Sequence, residues 1–161
     1  QHSSEASHAL NTARLAALGL CNAELRVGER FEDDCDAARL SYLLFPGEDA
    51  IPLGSLADAA QPVRLIVPDG TWRKARKILH VNPWLAELPR VALPEGLSSR
   101  YRLRKAPMPG VLSTIEAIVT ALNLLESPSR FDELLRPFDA LIEGQIDAMG
   151  REVYQRNHAD T

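Results

Sequence analysis

The stretch that decides the fold is VRLIVPDGTWRKARKILH, residues 63–80. Val63 to Val67 is a compact aliphatic run with the composition of a buried strand, and Pro68 and Gly70 end it. From Thr71 the period changes. Trp72, Ala75 and Leu79 fall on one side of a helical wheel, while Arg73, Arg76, Lys77 and His80 recur at i, i+3, i+4 and i+7 on the other. A strand that runs through a tight turn into an amphipathic helix with a basic outer face is a piece of a βαβ architecture.

Working outward, the same alternation recurs. NTARLAALGL (11–20) predicts a helix capped by Asn11 or Thr12, with Leu15 and Leu18 apolar at spacing three and Gly19 at its end. ELRV (24–27) predicts a short strand, GERFEDDCDA (28–37) an acidic loop or exposed helix start, and ARLSYLLFPG (38–47) a buried strand stopped by Pro46 and Gly47. SLADAA (55–60) predicts a short helix and RVAL (90–93) a strand; residues 98–110, crowded with proline and charge, predict a loop. STIEAIVTALNLLE (113–126) predicts a helix opened by a capping box of Ser113 and Glu116. Residues 127–158 predict a long helical segment kinked or interrupted at Pro137, fraying from about Asn157. The sum is an α/β chain with a largely parallel sheet, whose ligands belong at the carboxyl ends of strands, where two loops carry Pro46 and Pro68.

The 161 residues suit one domain, 1–161, and 45% hydrophobic with 25% charged residues is ordinary for a soluble globular chain. No apolar run approaches the ~20 residues of a spanning helix. The chain starts at Gln1 with no secretory signature and reads as a trimmed product. Two cysteines, Cys21 and Cys35, without C-x-x-C spacing predict buried or half-buried thiols in a reducing, cytoplasmic setting. Net charge is −4, but residues 64–105 hold ten basic against three acidic residues, a local +7, and the remainder holds eight against 19, or −11. Such a basic segment in an acidic chain is the footprint of a nucleic-acid contact face, or of a face that pairs with acidic neighbours in the fold.

Asp69 follows a buried strand and precedes a helix, where a carboxylate can sit in a partly dry cleft and accept a proton; the bland alternative is a helix cap. Trp72 suits the core or a stacking surface. His80 has no partner at metal-ligand spacing, and no metal site is expected. His2, His8 and His158 carry no readable signal. There is no G-x-G-x-x-G, Walker or G-x-S-x-G motif.

Four short motifs then coincide in order over about residues 5–126, and together they resemble the DTW-domain family of tRNA-uridine aminocarboxypropyltransferases. They are N-T-x-R-L at 11–15, L-x-x-P-G at Leu43, Pro46 and Gly47, D-x-T-W-x-x-A at Asp69, Thr71, Trp72 and Ala75, and YRLRKAP followed by LSTIEA at 101–107 and 112–117. The resemblance implies a SPOUT-like α/β fold, a mostly parallel sheet with helices on both faces and a knotted C-terminal region. It implies S-adenosylmethionine as cofactor, tRNA as partner, and transfer of the 3-amino-3-carboxypropyl group to uridine N3. No membrane and no obligate protein partner is implied. Carried onto this chain, the cofactor cleft is lined by Leu44, Phe45 and Pro46, by Pro68, Asp69, Gly70, Thr71 and Trp72, by Leu103, Arg104, Lys105 and Ala106, and by Leu112, Ser113, Thr114 and Glu116. Asp69 is the general base. The cysteine-rich zinc module of many members has no counterpart in these residues.

The chemistry agrees with such a set. Uridine N3 is a poor nucleophile until its proton is loosened, and a carboxylate within hydrogen-bond reach does that. A sulfonium offers three attackable carbons, so placement selects among them. A paired uridine hides N3, so the base must be unpaired or flipped, with phosphates held by Arg73, Arg76, Lys77 and His80 and by Arg100 and Arg102. A methyl-transferring SPOUT enzyme with the same cleft, or a non-catalytic RNA-binding module, are the competing expectations.

Overall fold

The computed structural model describes residues 1–8, 10–34, 38–102, 111–150 and 154. Four strands, β1 (Leu40–Leu44), β2 (Ile51–Pro52), β3 (Val63–Ile66) and β4 (Arg90–Ala92), form one sheet in the order β2-β4-β1-β3. Every pair is parallel: Leu43 lies opposite Ile66 of β3 and Arg90 of β4, and Leu44 opposite Val91. Among the described residues, five α-helices accompany the sheet: α1 (Thr12–Gly19), α2 (Trp72–Val81), α3 (Pro83–Glu87), α4 (Thr114–Leu125) and α5 (Arg136–Met149).

Because successive strand side chains point to opposite faces, β1 feeds two cores. Leu43 and Phe45 pack with Ala75, Ile78 and Leu79 of α2 and Leu85 of α3. Leu44 packs with Val91 of β4, with Leu53 and Leu56 of a 3-10 turn, and with Ala121 of α4. Helices therefore cover both faces, the arrangement a two-sided apolar strand requires. A third cluster joins α1, α4 and α5 through Ala16, Ile115, Val119, Phe138, Ile142 and Ile146. Each of the parallel sheet, β1, β3, β4 and the helices at 12–19, 72–81 and 114–125 matches the sequence-based expectation.

The differences have physical causes. ELRV forms no strand: Glu24 and Arg26 pair with each other at 2.8 Å, Arg26 also reaches Asp34, and β3's outer edge has no partner strand among the described residues. Of the two outcomes expected at Pro137 the helical segment shows interruption, not a kink: Pro137 stands in the first turn of α5, where its missing N–H has no partner to lose. A 3-10 turn at Asp132–Leu135 precedes it. The short helix expected at 55–60 is a 3-10 turn at Leu53–Leu56, and β2 and α3, at two and five residues, are too short to show a period. The buried side of α1 is Thr12, Ala13 and Ala16, whose small side chains let the helix approach α4, and Leu18 is left 76% exposed. Cys21 is exposed, not buried as expected; Cys35 and the C-terminal tail lie outside the described residues.

Phe138 is fully buried between α1 and α4 and meets Tyr101 edge-on at 5.4 Å. Phe138→Ala is expected to lower stability by about 3–5 kcal/mol, read as a shift of the urea midpoint at unchanged slope.

Candidate active site

The carboxyl end of β3 runs into Val67-Pro68-Asp69-Gly70, and Gly70 makes the turn at φ +140°, a backbone conformation that disfavours a side chain. A Cβ there would also stand 3.1 Å from Lys74 Cβ. Thr71, not Asp69, caps α2: its hydroxyl accepts the Lys74 N–H at 3.4 Å. Asp69 is thereby released from the capping role that was its bland reading.

The Asp69 side chain is 8% exposed and both of its oxygens are held. Oδ1 accepts a short hydrogen bond from the Thr114 hydroxyl at the start of α4. Oδ2 accepts from Gln1 Nε2 at 2.7 Å, and that amide is fixed in turn by Asn11, through Nε2 to Asn11 Oδ1 at 2.8 Å and Asn11 Nδ2 to Gln1 Oε1 at 3.0 Å. The His2 N–H donates to the Asp69 carbonyl at 3.1 Å. Gln1 carries no motif of its own, so residue-by-residue reading passes over it. Asn11 was legible only as a helix cap, which it also is, accepting from the Arg14 N–H at 2.9 Å.

A cavity of about 1010 Å³ runs along the outer edge of β3, walled by Leu65 and Val67 on one side, by Leu20 to Arg26 on another, and by Ile118 and Leu122 of α4. Of the predicted cofactor residues, Pro68, Asp69 and Thr114 line it. Leu44, Phe45, Pro46, Gly70, Thr71, Trp72, Leu112, Ser113 and Glu116 do not. Phe45 and Trp72 form a second group on the α2 side of the sheet end: their rings meet edge to face at 5.4 Å, and Trp72 stays 39% exposed. The inner face of α2 is instead Ala75, Ile78 and Leu79, so Trp72 is a rim residue, not a core one.

Glu116 is 5% exposed and its carboxylate is saturated. Oε2 accepts from the Ser113 N–H at 2.8 Å, the Ser113 hydroxyl at 2.6 Å and the Ser99 hydroxyl at 2.8 Å; Oε1 accepts the Arg100 N–H at 2.5 Å. The capping box thus extends beyond its own helix and clamps the 99–100 loop onto the start of α4. Leu103, Arg104, Lys105 and Ala106 lie outside the described residues.

The fold divides the basic residues expected to meet phosphate. Lys77 pairs with Glu29 at 2.7 Å, Arg100 with Asp139 at 3.3 Å, and Arg102 with Glu143; Lys74, on the same helix, pairs with Glu5 at 2.5 Å. Arg73, Arg76 and His80 are exposed and have no ion pair among the described residues. The Lys77 ammonium, through its hydrogen bond, holds the Glu29 carboxyl below the usual glutamate range.

Cutting the clamp tests the local architecture. Glu116→Ala leaves the Arg100 N–H and two serine hydroxyls without their acceptor and is expected to cost about 2–4 kcal/mol. Amide exchange at residues 99–101 should accelerate before that of α2; unchanged protection of the loop would disprove the clamp.

The DTW domain family matches residues 1–146. Three proteins named tRNA-uridine aminocarboxypropyltransferase 2 are similar to the chain. The Drosophila melanogaster protein is 35% identical over 158 residues, and the Macaca fascicularis protein 33% identical over 158. The Mus musculus protein is 33% identical over 159. Each alignment takes in 91% of this chain, but 63% of the fly protein and 53% of the other two, so the chain spans about half to two-thirds of their length. No solved structure matches. With the D-G-T-W turn at the end of a parallel strand and a family match over residues 1–146, the chain belongs to the DTW-domain family.

Proposed function

We propose that the protein transfers the 3-amino-3-carboxypropyl group of S-adenosylmethionine to N3 of a uridine in tRNA. The observation that carries this reading is Asp69, a buried carboxylate at the carboxyl end of a parallel strand, at the wall of a large cavity, in a chain whose relatives bear the name of that activity. The residues at this sheet end suit the donor: the cavity has the size of small-molecule sites, and Trp72, packed on the buried Phe45, offers an exposed aromatic surface on the α2 side. When bound, the donor supplies a carbon chain activated by a sulfonium leaving group.

The chain's own residues supply the rest. Thr114 orients the Asp69 carboxylate by donating to Oδ1, leaving Oδ2 to exchange its Gln1 amide partner for the uridine N3–H. Asp69 takes that proton as N3 bonds the terminal carbon of the chain, and the carbon–sulfur pair leaves with the neutral thioether. Arg73, Arg76 and His80 form the open part of the RNA grip. Lys77, Arg100 and Arg102 join it when phosphates displace their carboxylate partners. A SPOUT-like arrangement with a knotted C-terminal region belongs to the same reading, supported by the parallel sheet whose order, β2-β4-β1-β3, departs from chain order.

Asp69→Asn is nearly isosteric and should preserve donor affinity while lowering turnover by about 10²-fold or more; full activity in that variant would remove Asp69 from the chemistry. Donor labelled separately in the methyl and carboxylate carbons decides the transferred group. Label entering tRNA from the carboxylate preparation is expected, and label from the methyl preparation alone would make this a methyltransferase. Arg73→Ala and Arg76→Ala should each weaken tRNA binding and flatten the slope of log affinity against log salt by about 0.7–0.9, measured by filter binding. Lys77→Ala, whose charge is already paired, should do less.

A further inference from the structure

Arg90 opens β4 in register with Leu43, so its side chain emerges on the α2 face of the sheet, with Leu43 and Phe45. It lies against Gly47 in the loop that follows β1. A Cβ on Gly47 would stand 2.8 Å from Arg90 Nη1 and 3.3 Å from Cδ, so a side chain there would push the guanidinium aside.

What the guanidinium lacks is a carboxylate. Several arginines more exposed than Arg90 do find one: Arg26 pairs with Glu24 and Asp34, Arg130 with Asp132, Arg136 with Glu133. The partly shielded Arg64 reaches Asp34. Among the described residues, Arg90 is the one half-buried arginine that has no ion pair. A guanidinium that has lost part of its hydration without an acceptor is unfavourable, and such local conflicts concentrate where a ligand completes the site.

The contacts around it lead to Asp69. Gly47 is two residues past Phe45, Phe45 meets Trp72, and Trp72 is three residues past Asp69. Arg90 opens β4 and Asp69 follows the end of β3, the strands on either side of β1, whose axes stand about 10 Å apart. Of the three groups on a sulfonium donor, only the one to be transferred ends in a carboxylate, and the planar fork of arginine binds a carboxylate through two parallel hydrogen bonds.

We propose that Arg90 is the oxyanion site that holds the α-carboxylate of the donor's amino-acid chain, and that this anchor selects the aminocarboxypropyl carbon over the methyl. The inference rests on the aminocarboxypropyl reading. Arg90 is a specificity residue in this role: it touches the donor far from the reacting carbon.

The test is calorimetry on the full chain with S-adenosylmethionine and with its decarboxylated form, which lacks only the carboxylate. The wild type is expected to bind the intact donor about 10- to 100-fold more tightly than the decarboxylated one. Arg90→Gln should lose that margin by weakening the intact donor alone, while Arg90→Lys, which keeps the charge without the fork, recovers part of it; Arg90→Lys carries the test if melting curves show that Arg90→Gln does not fold. Equal affinity of Arg90→Gln and wild type for the intact donor would overturn the proposal, as would parallel loss of both donors. So would a loss confined to tRNA binding, which would make Arg90 a phosphate contact. A wild type that binds neither donor would instead overturn the transferase reading on which the proposal stands.

Discussion

The hydrogen bond from the Thr114 hydroxyl to Asp69 Oδ1 joins two elements 45 residues apart in the chain, the turn that ends β3 and the start of α4. A carboxylate that is 8% exposed must be paired or hydrogen-bonded, and this requirement organises the sheet end. One oxygen draws α4 in. The other draws in Gln1, and through it Asn11 and the start of α1. Three segments thus converge on one side chain. A residue with no acceptor at position 69 would leave the Thr114 hydroxyl and the Gln1 amide facing each other across a gap. Asp69 is thus a structural junction of the sheet end.

Electrostatics act on a similar economy. Among the described residues, part of the local +7 of residues 64–105 is met by carboxylates of the acidic remainder, which folds against it. Glu5 and Glu29 come from the N-terminal region, Asp139 and Glu143 from α5, one turn apart. Exposed pairs of this kind contribute little to stability, so phosphates can replace the carboxylates at small cost. What remains uncommitted is the outer side of α2 at Arg73, Arg76 and His80, beside the half-exposed Trp72.

The residues that announced the fold were those under the strongest local constraint. The aliphatic run before Pro68 and the apolar run before Pro46 became neighbouring parallel strands, since both must be buried on two faces. The capping box at Ser113 was legible because both members sit within one turn. Position 72 misled: its helical period placed Trp72 inward, yet as the first residue of α2 it has no preceding turn to pack beneath and settles on Phe45 at the rim. ELRV misled for the opposite reason, since its alternation suits a strand but pairing depends on partners that no window of sequence displays. In the site, Asp69 stood out by its place between strand and helix. Gln1 and the partners of Glu116 did not, because those contacts span 68 and 16 residues and follow no period.

Glu116 has a further consequence. A single carboxylate receives donors from the helix start that leads to Thr114 and from the loop that carries Arg100. Neither side can shift without disturbing the other's acceptor, so ordering on one side lowers the entropy lost on the other. By thermodynamic linkage the help is mutual: whatever steadies the arginine loop from outside favours a ligand beside Asp69 by the same factor that such a ligand favours one held by the loop. Two ligands bound at these places would then show positive cooperativity through a segment that touches neither.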